Sequence, residues 1–296
     1  MTPDHWTIGS LLRWAAGYFG GHDIDSPRSA AEILLAHVLD LERIDLYLRY
    51  DQPLTGDELG RFKSLAQRRV RREPVAYIVG EKEFWGLPLA VSPHVLIPRP
   101  ETECLVEIVL ENVLPKDDDT PRQVLELGIG SGAITLALVK ERPWNRYVAL
   151  DRSIPALALA RANARRHRLD GRIDFLAGDW LDALDSQSSD FFLIVSNPPY
   201  IATADLATLA PEITEYEPVG ALDGGPGGLD EIGRILRAVP EFLAPAGHLV
   251  LEIGYDQAAA VQAMAEATGR YLPAVVGQDY SGHDRVVHLQ RLACSS

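Results

Sequence analysis

Apolar residues recur every three or four positions over roughly the first 75 residues, and from about residue 121 they gather into short unbroken runs. The first spacing is one face of a helix; the second suits strands buried on both sides. Ile8, Leu11, Leu12, Ala15 and Tyr18/Phe19 form one helical stripe, which Gly20-Gly21 ends. Ser26-Pro27 reads as an N-cap followed by proline at the first helical position, with Ala30, Ile33, Leu34, His37/Val38 and Leu41 behind it. Thr55-Gly56-Asp57-Glu58 is a capping-box pattern opening a third helix through Leu59, Phe62 and Ala66, which Pro74 stops. Glu83 to Val91 sets β-formers around a Gly/Pro turn and predicts a hairpin. Ile97-Pro98-Arg99-Pro100-Glu101-Thr102 is stiff and extended, then helix-starting.

Beyond it, strands are predicted at Gln123–Leu127, Arg146–Leu150, Ile173–Ala177, Phe191–Ser196, His248–Ile253 and Val286–Leu289. Helical segments separate several of them: Ala133–Glu141, Ile154–Arg168, Asp230–Phe242 and Gln257–Thr268. This alternation implies an α/β fold, a doubly wound and mostly parallel sheet. The expected organisation is a helical domain over 1–75, a hairpin linker over 76–96 and the α/β domain over 97–296. Gly224-Gly225-Pro226-Gly227-Gly228 reads as a local flexible loop.

Charge and cysteine content narrow the chemistry. The chain carries 28 basic and 42 acidic residues, a formal charge of −14. Residues 1–96 hold 11 and 13 of these, net −2, which leaves 17 and 29, net −12, for residues 97–296. A domain so acidic repels phosphate backbones, so no nucleic-acid partner is expected. No run approaches the ~18 uninterrupted apolar residues of a membrane span. The opening Met1-Thr2-Pro3-Asp4-His5-Trp6 lacks a signal-peptide layout, so a cytoplasmic protein is expected. Cys104 and Cys294 stand far apart in no ligand spacing, which predicts a reduced setting and no metal. The cluster Arg68-Arg69-Val70-Arg71-Arg72 is either a partner contact or a cationic last turn favoured by the helix dipole, the second being the simpler reading.

The chemistry concentrates at strand ends. The first of the six strands runs into Glu126-Leu127-Gly128-Ile129-Gly130-Ser131-Gly132-Ala133, whose glycines let a cofactor approach the backbone at a helix N-terminus. Asp151 closes the second, where its carboxylate can accept both hydroxyls of a ribose. These features suit a nicotinamide dinucleotide and S-adenosylmethionine equally. Asn197-Pro198-Pro199-Tyr200 follows the fourth strand and separates them. If the strand order is 3-2-1-4, this tetrapeptide and the glycine loop border one crevice. An amide nitrogen is a poor nucleophile because its lone pair is conjugated. Two acceptors set off the amide plane, the Asn197 side-chain oxygen and the Pro198 carbonyl, would favour a pyramidal nitrogen facing a methyl donor. The fixed φ of proline holds the second acceptor still, and Tyr200 can pack on the flat face of the amide.

At these residues the sequence resembles the release factor glutamine methyltransferases, the PrmC/HemK family of protein-(glutamine-N5) methyltransferases. Pro74-Val75-Ala76-Tyr77-Ile78, Glu83-Phe84-Trp85, Leu96 to Glu103, Asn197 to Tyr200, Tyr216-Glu217-Pro218 with Ala221-Leu222, and Asp279-Tyr280 carry the resemblance. It implies a helical N-terminal domain, a hairpin and a class I S-adenosylmethionine-dependent methyltransferase domain. The implied substrate is the glutamine of the Gly-Gly-Gln motif in class I peptide chain release factors. By position, Gly128, Ile129, Gly130, Ser131 and Gly132 would cradle the methionine portion of the cofactor. Asp151 would hold its ribose and Asp179-Trp180 would flank its adenine. Asn197 borders the cofactor as well, and with Pro198, Pro199 and Tyr200 it would bind the glutamine amide. Arg99 and Glu101 are implied to lie near the active site. Glu126, where the family usually has aspartate, and Ile129, where a small polar residue is common, depart from the pattern. The helical domain is expected to hold the release factor, because one glutamine offers too little surface for selectivity.

Three other readings compete. Asn-Pro-Pro-Tyr also serves enzymes that methylate the adenine N6 amine in DNA or RNA, where an aromatic stacks on the flipped base; the −12 balance disfavours this. A non-catalytic factor- or cofactor-binding module rests only on the Glu126 and Ile129 departures. A nicotinamide dehydrogenase lacks a His/Lys/Tyr proton relay after the fourth strand.

Overall fold

The computed structural model describes residues 5–186 and 190–293. Met1 to Asp4 and Cys294, which entered the targeting and cysteine expectations, lie outside the described residues. The chain divides into two compact units, one of residues 1–81 with 210–216 and one of residues 82–209 with 217–296.

The first unit is helical: α1 (Ile8–Gly20), α2 (Pro27–Leu39), α3 (Arg43–Leu48), α4 (Gly56–Val70) and α5 (Val75–Val79). Most of the predicted stripe residues are in its core, with Ile8, Leu12, Leu34 and Phe62 fully buried together; in α2 Leu35 joins them, whereas the predicted Ile33 is only half-buried and lies outside that cluster. At the start of α4 the Thr55 amide donates to Glu58 and the Glu58 amide to the Thr55 hydroxyl, the reciprocal pair expected. Pro27 opens α2, but Ser26 makes no side-chain cap. Its backbone is left-handed (φ 47°, ψ 53°), not extended as a cap needs to reach the free N–H groups.

The second unit begins with a hairpin, β1 (Glu81–Phe84) and β2 (Leu87–Ala90), turned by Trp85 and Gly86, both at positive φ. A two-residue turn of that hand matches the strand twist. The Trp85 amide donates to Glu103 at 2.8 Å, which supports the uncommon conformation. There follow α6 (Glu103–Asn112), β3 (Gln123–Leu127), α7 (Ala133–Glu141), β4 (Arg146–Asp151), α8 (Ile154–Arg166), β5 (Ile173–Ala177) and β6 (Phe191–Ser196). Next come α9 (Pro211–Thr214), grouped with the first unit, α10 (Asp230–Ala238), β7 (Leu243–Glu252), α11 (Ala258–Thr268), β8 (Val275–Gln278) and β9 (Asp284–Gln290).

Among the described residues β3 to β9 form one seven-stranded sheet in the order β5-β4-β3-β6-β7-β9-β8. The first five strands are mutually parallel, and β9 pairs antiparallel with both β7 and β8. The 3-2-1-4 order, the condition for a crevice shared by the glycine loop and the tetrapeptide, is therefore present. Alternate residues face two cores. Val124, Leu193, Val195, Val250 and Val286 meet α6, α7 and α8, whereas Leu125, Ile194, Leu249, Leu251 and Val287 meet α10 and α11. Phe84, Leu87 and Leu89 of the hairpin join the first of these cores. Burial on both faces is why the strands read as unbroken apolar runs. Edge strand β8 has no such run, since Val275 stays exposed, and the sequence pattern did not reveal it. Among the described residues no helix is long and apolar enough to cross a membrane.

Candidate active site

The sheet register brings the two sequence motifs together. Leu127 of β3 pairs with Ser196 of β6, and the Ser196 hydroxyl donates to the Leu127 carbonyl at 2.7 Å. The next residues, Gly128 and Asn197, therefore leave neighbouring strands at the same level. Strand order reverses between β3 and β6, the place where open α/β sheets bind ligands. A cavity opens there, lined by Gly128, Ile129, Gly130 and Ser131, by Asp151, by Asp179 and Trp180, and by Asn197 and Pro199.

The glycine loop folds because three positions carry no Cβ. Gly128, Gly130 and Gly132 have φ of 76°, 54° and 90°, which L side chains rarely adopt. The amides of Gly128 and Ile129 both donate to the Leu150 carbonyl, and the Gly130 amide donates to Asp151 at 2.9 Å. The other Asp151 oxygen accepts from the Ser153 amide at 2.8 Å. Gly132 caps α7 and does not line the cavity. Glu126, at the end of β3, is buried but reaches the lining, where it accepts from the Thr135 amide at 2.9 Å and from the Thr135 hydroxyl. Burial raises its pKa to about 8, with the nearby Asp151 charge adding and Thr135 opposing.

Asp179 and Trp180 follow β5. Asp179 pairs with Arg234 at 2.9 Å, and the Trp180 indole donates to Glu231, another lining residue. Across the cavity, Glu217 is buried and accepts from the Ile97 amide at 3.1 Å and from Arg99. Arg152 donates to the Gly220 carbonyl at 3.0 Å. His94 to Leu96, Pro98 and Arg99, with Pro218, Gly220 and Ala221, thereby form part of the wall, which does not include the exposed Glu101.

The tetrapeptide is held from several directions. Asn197 donates through Nδ2 to the Thr102 hydroxyl at 3.3 Å, which leaves Oδ1 as its acceptor. Pro198 is buried, and Tyr200 donates its hydroxyl to Glu252 at 3.1 Å; neither lines the cavity. Burial raises the Glu252 carboxyl and, first among its causes, the Tyr200 phenol as well. Thr102, Asn163, Glu231 and Gln257 did not stand out in the sequence. Asn163 on α8 fixes the glycine loop: its amide donates to the Ser131 and Ala90 carbonyls at 2.8 and 3.0 Å and accepts from the Ala90 amide at 2.8 Å. The cluster Arg68 to Arg72 meets carboxylates of its own unit, Arg68 with Glu73 and both Arg69 and Arg72 with Glu212.

Known proteins match these features over nearly the whole chain. A family model described as the PrmC N-terminal domain matches residues 10–80, and one described as the methyltransferase small domain matches residues 104–215. The release factor glutamine methyltransferase of Geobacter sulfurreducens is 44% identical over 285 residues, 96% of this chain and 97% of that protein. That of Burkholderia pseudomallei is 46% identical over 243 residues, 81% and 84% of the two chains. The solved N-terminal domain of human METTL16 in complex with SAH covers 69% of this chain and 76% of its own, with a TM-score of 0.51 at 17% identity, and shares the fold.

Proposed function

This chain belongs to the release factor glutamine methyltransferase family and is a methyltransferase, and on that premise we propose that it methylates the side-chain nitrogen (N5) of a glutamine in class I peptide chain release factors, at their Gly-Gly-Gln motif, using S-adenosylmethionine. One observation carries the reading. The Leu127–Ser196 register sets a glycine cradle and an Asn-Pro corner at the same level of adjacent strands, so one crevice takes both a nucleoside and an amide.

The residues suit the cofactor by shape and charge. Three positive-φ glycines leave room along the loop, and Asp151, Asp179 and Glu231 give the cavity an acidic wall for a ligand with sulfonium and ammonium charges. Gly128, Ile129, Gly130 and Ser131 would hold the methionine portion, with Gly132 shaping the loop. Asp151 would hold the ribose, and Asp179 with Trp180 would flank the adenine. When bound, S-adenosylmethionine supplies an electrophilic methyl group.

The chain's own residues prepare the acceptor. Asn197 Oδ1 and the Pro198 carbonyl accept the two N–H bonds of the glutamine amide, and Tyr200 offers its ring to the amide plane. These two hydrogen bonds contribute about 1.5–3 kcal/mol each as charge develops. Alignment of nitrogen with methyl contributes about 7–11 kcal/mol, so positioning dominates. No strong base is needed, since a methylated amide nitrogen is acidic and loses its proton to water. The helical unit, with a core of its own, serves to select the intact factor over other glutamine-bearing chains.

The test is transfer of labelled methyl from S-adenosylmethionine to purified release factor, to the same factor with its motif glutamine changed to alanine, and to total nucleic acid. Label is expected only in the unaltered factor, with a mass increase at that glutamine. Equal labelling of the alanine form, or label in nucleic acid instead, overturns the proposal.

A further inference from the structure

The loop Gly224-Gly225-Pro226-Gly227-Gly228, whose composition suggests flexibility, is built against the backbone of the catalytic corner. A Cβ on Gly224 would come within 2.8 Å of both the Pro199 carbonyl oxygen and Tyr200 Cα, and one on Gly228 within 2.3 Å of the Tyr200 carbonyl oxygen. These obstacles are main chain and cannot swing aside. Gly228 also sits at φ 70°. A short ladder continues the contact: Ile201 donates to Leu222 at 3.0 Å, Gly224 to Ile201 at 2.8 Å, and Thr203 to Gly225 at 2.9 Å.

Gln257, at the N-terminus of α11, closes this arrangement. Its Nε2 donates to the Tyr200 carbonyl at 2.9 Å and the Gly228 carbonyl at 3.1 Å, while its Oε1 accepts from the Gly254 amide at 2.8 Å. One carboxamide thus joins the tetrapeptide, the 224–228 loop and the turn that follows β7. Gly224, Gly228 and Gln257 all bear on the main chain of Pro199 and Tyr200, so they are placed to act through the tetrapeptide.

We infer that Gln257, with Gly224 and Gly228, is a clamp that positions the Asn197–Pro198 corner for methyl transfer. Two consecutive prolines lock φ between Asn197 and Tyr200. With φ fixed at both prolines, holding the Tyr200 carbonyl narrows the positions open to the Pro198 carbonyl, while Thr102 holds the Asn197 side chain. The demand for precision is steep, because misplacement by about 1 Å costs on the order of 100-fold in rate. The role assigned to Gln257 rests on the proposed reaction.

Gln257→Glu in the full-length protein tests it. The variant keeps the shape and the acceptor for Gly254, but it turns an oxygen toward two carbonyls. Expected are a fall in kcat on the order of 10–100-fold with release factor, a Kd for S-adenosylhomocysteine within about twofold of the parent, and faster hydrogen exchange at Ile201 and Gly224 with residues 128–132 unchanged. Gln257→Ala gives the same readouts should Gln257→Glu not fold. Unchanged exchange at Ile201 and Gly224, or unchanged kcat, overturns the clamp; so does a parallel loss of S-adenosylhomocysteine affinity, which marks a general structural defect. If the parent protein itself methylates no release factor, the proposed function fails, and the exchange measurement still decides whether the clamp exists.

Discussion

Glu126 is a buried carboxyl group with a neighbouring negative charge at Asp151. Its pKa rises from 4.5 to about 8, so the folded protein favours the protonated form. The contribution of this group to stability is full below pH 4.5 and is lost as the pH rises toward 8. Glu126→Gln removes that loss and keeps an acceptor for Thr135. Its Tm is expected to exceed the parent's by a margin that grows from pH 5 to pH 8, at about 2–4 °C per kcal/mol. A constant Tm difference across that range, followed by scanning calorimetry, would sink the assignment. The glycines, Asp151 and Asn197 could be picked out in the sequence because each stands at the end of an apolar run. Thr102 and Gln257 could not, since the atoms they hold lie 95 and 57 residues away.

At the scale of elements, α8 shows how a helix can serve a loop it does not touch in sequence. Asn163 is buried and spends its amide on Ala90 of β2 and Ser131 of the glycine loop. In the sequence it sits inside an ordinary helical pattern and looks like any polar helix residue. Asn163→Leu leaves one buried amide and two carbonyls without this partner, at about 1–3 kcal/mol each before relaxation. The expected outcome is a fall of about 3 kcal/mol in urea-derived stability and roughly tenfold weaker binding of S-adenosylhomocysteine by titration calorimetry. Other elements follow the same logic. The arginines at the end of α4 read as a cationic last turn or a partner contact; Arg68 and Arg69 do occupy the last turn, and Glu73 and Glu212 pair with Arg68, Arg69 and Arg72. Glu212 is more than 130 residues from the cluster, and no periodicity announces such a pairing.

For the whole molecule, each unit carries its own core, and the large sheet of the second joins a parallel half to an antiparallel edge through β7 and β9. His248 and His288 meet at that junction with ring nitrogens 2.9 Å apart, beside Phe192. Burial, with His288 nearby, lowers the His248 pKa from 6.5 to about 4, and burial lowers His288 as well. Both are held neutral in the fold; the contribution of His248 is present above pH 6.5 and is lost as the pH falls toward 4, and that of His288 is lost in the same direction. Unfolding followed in urea between pH 7 and 4.5 should show the parent losing stability more steeply than His248→Gln; parallel curves would refute the pairing. By itself the sequence determined the fold class and which strand ends bear the glycines, Asp151 and Asn197, because burial on both sheet faces and glycine at positive φ are local demands that residue type satisfies; the strand order that sets those ends side by side came from the sheet pairing. Only the tertiary structure decided which distant groups hold those ends in place: Thr102 on Asn197, Asn163 on the glycine loop, Glu217 on Arg99 and Gln257 on Tyr200. A hydrogen bond needs its two atoms within about 3 Å of each other, and spacing along the chain does not encode that distance.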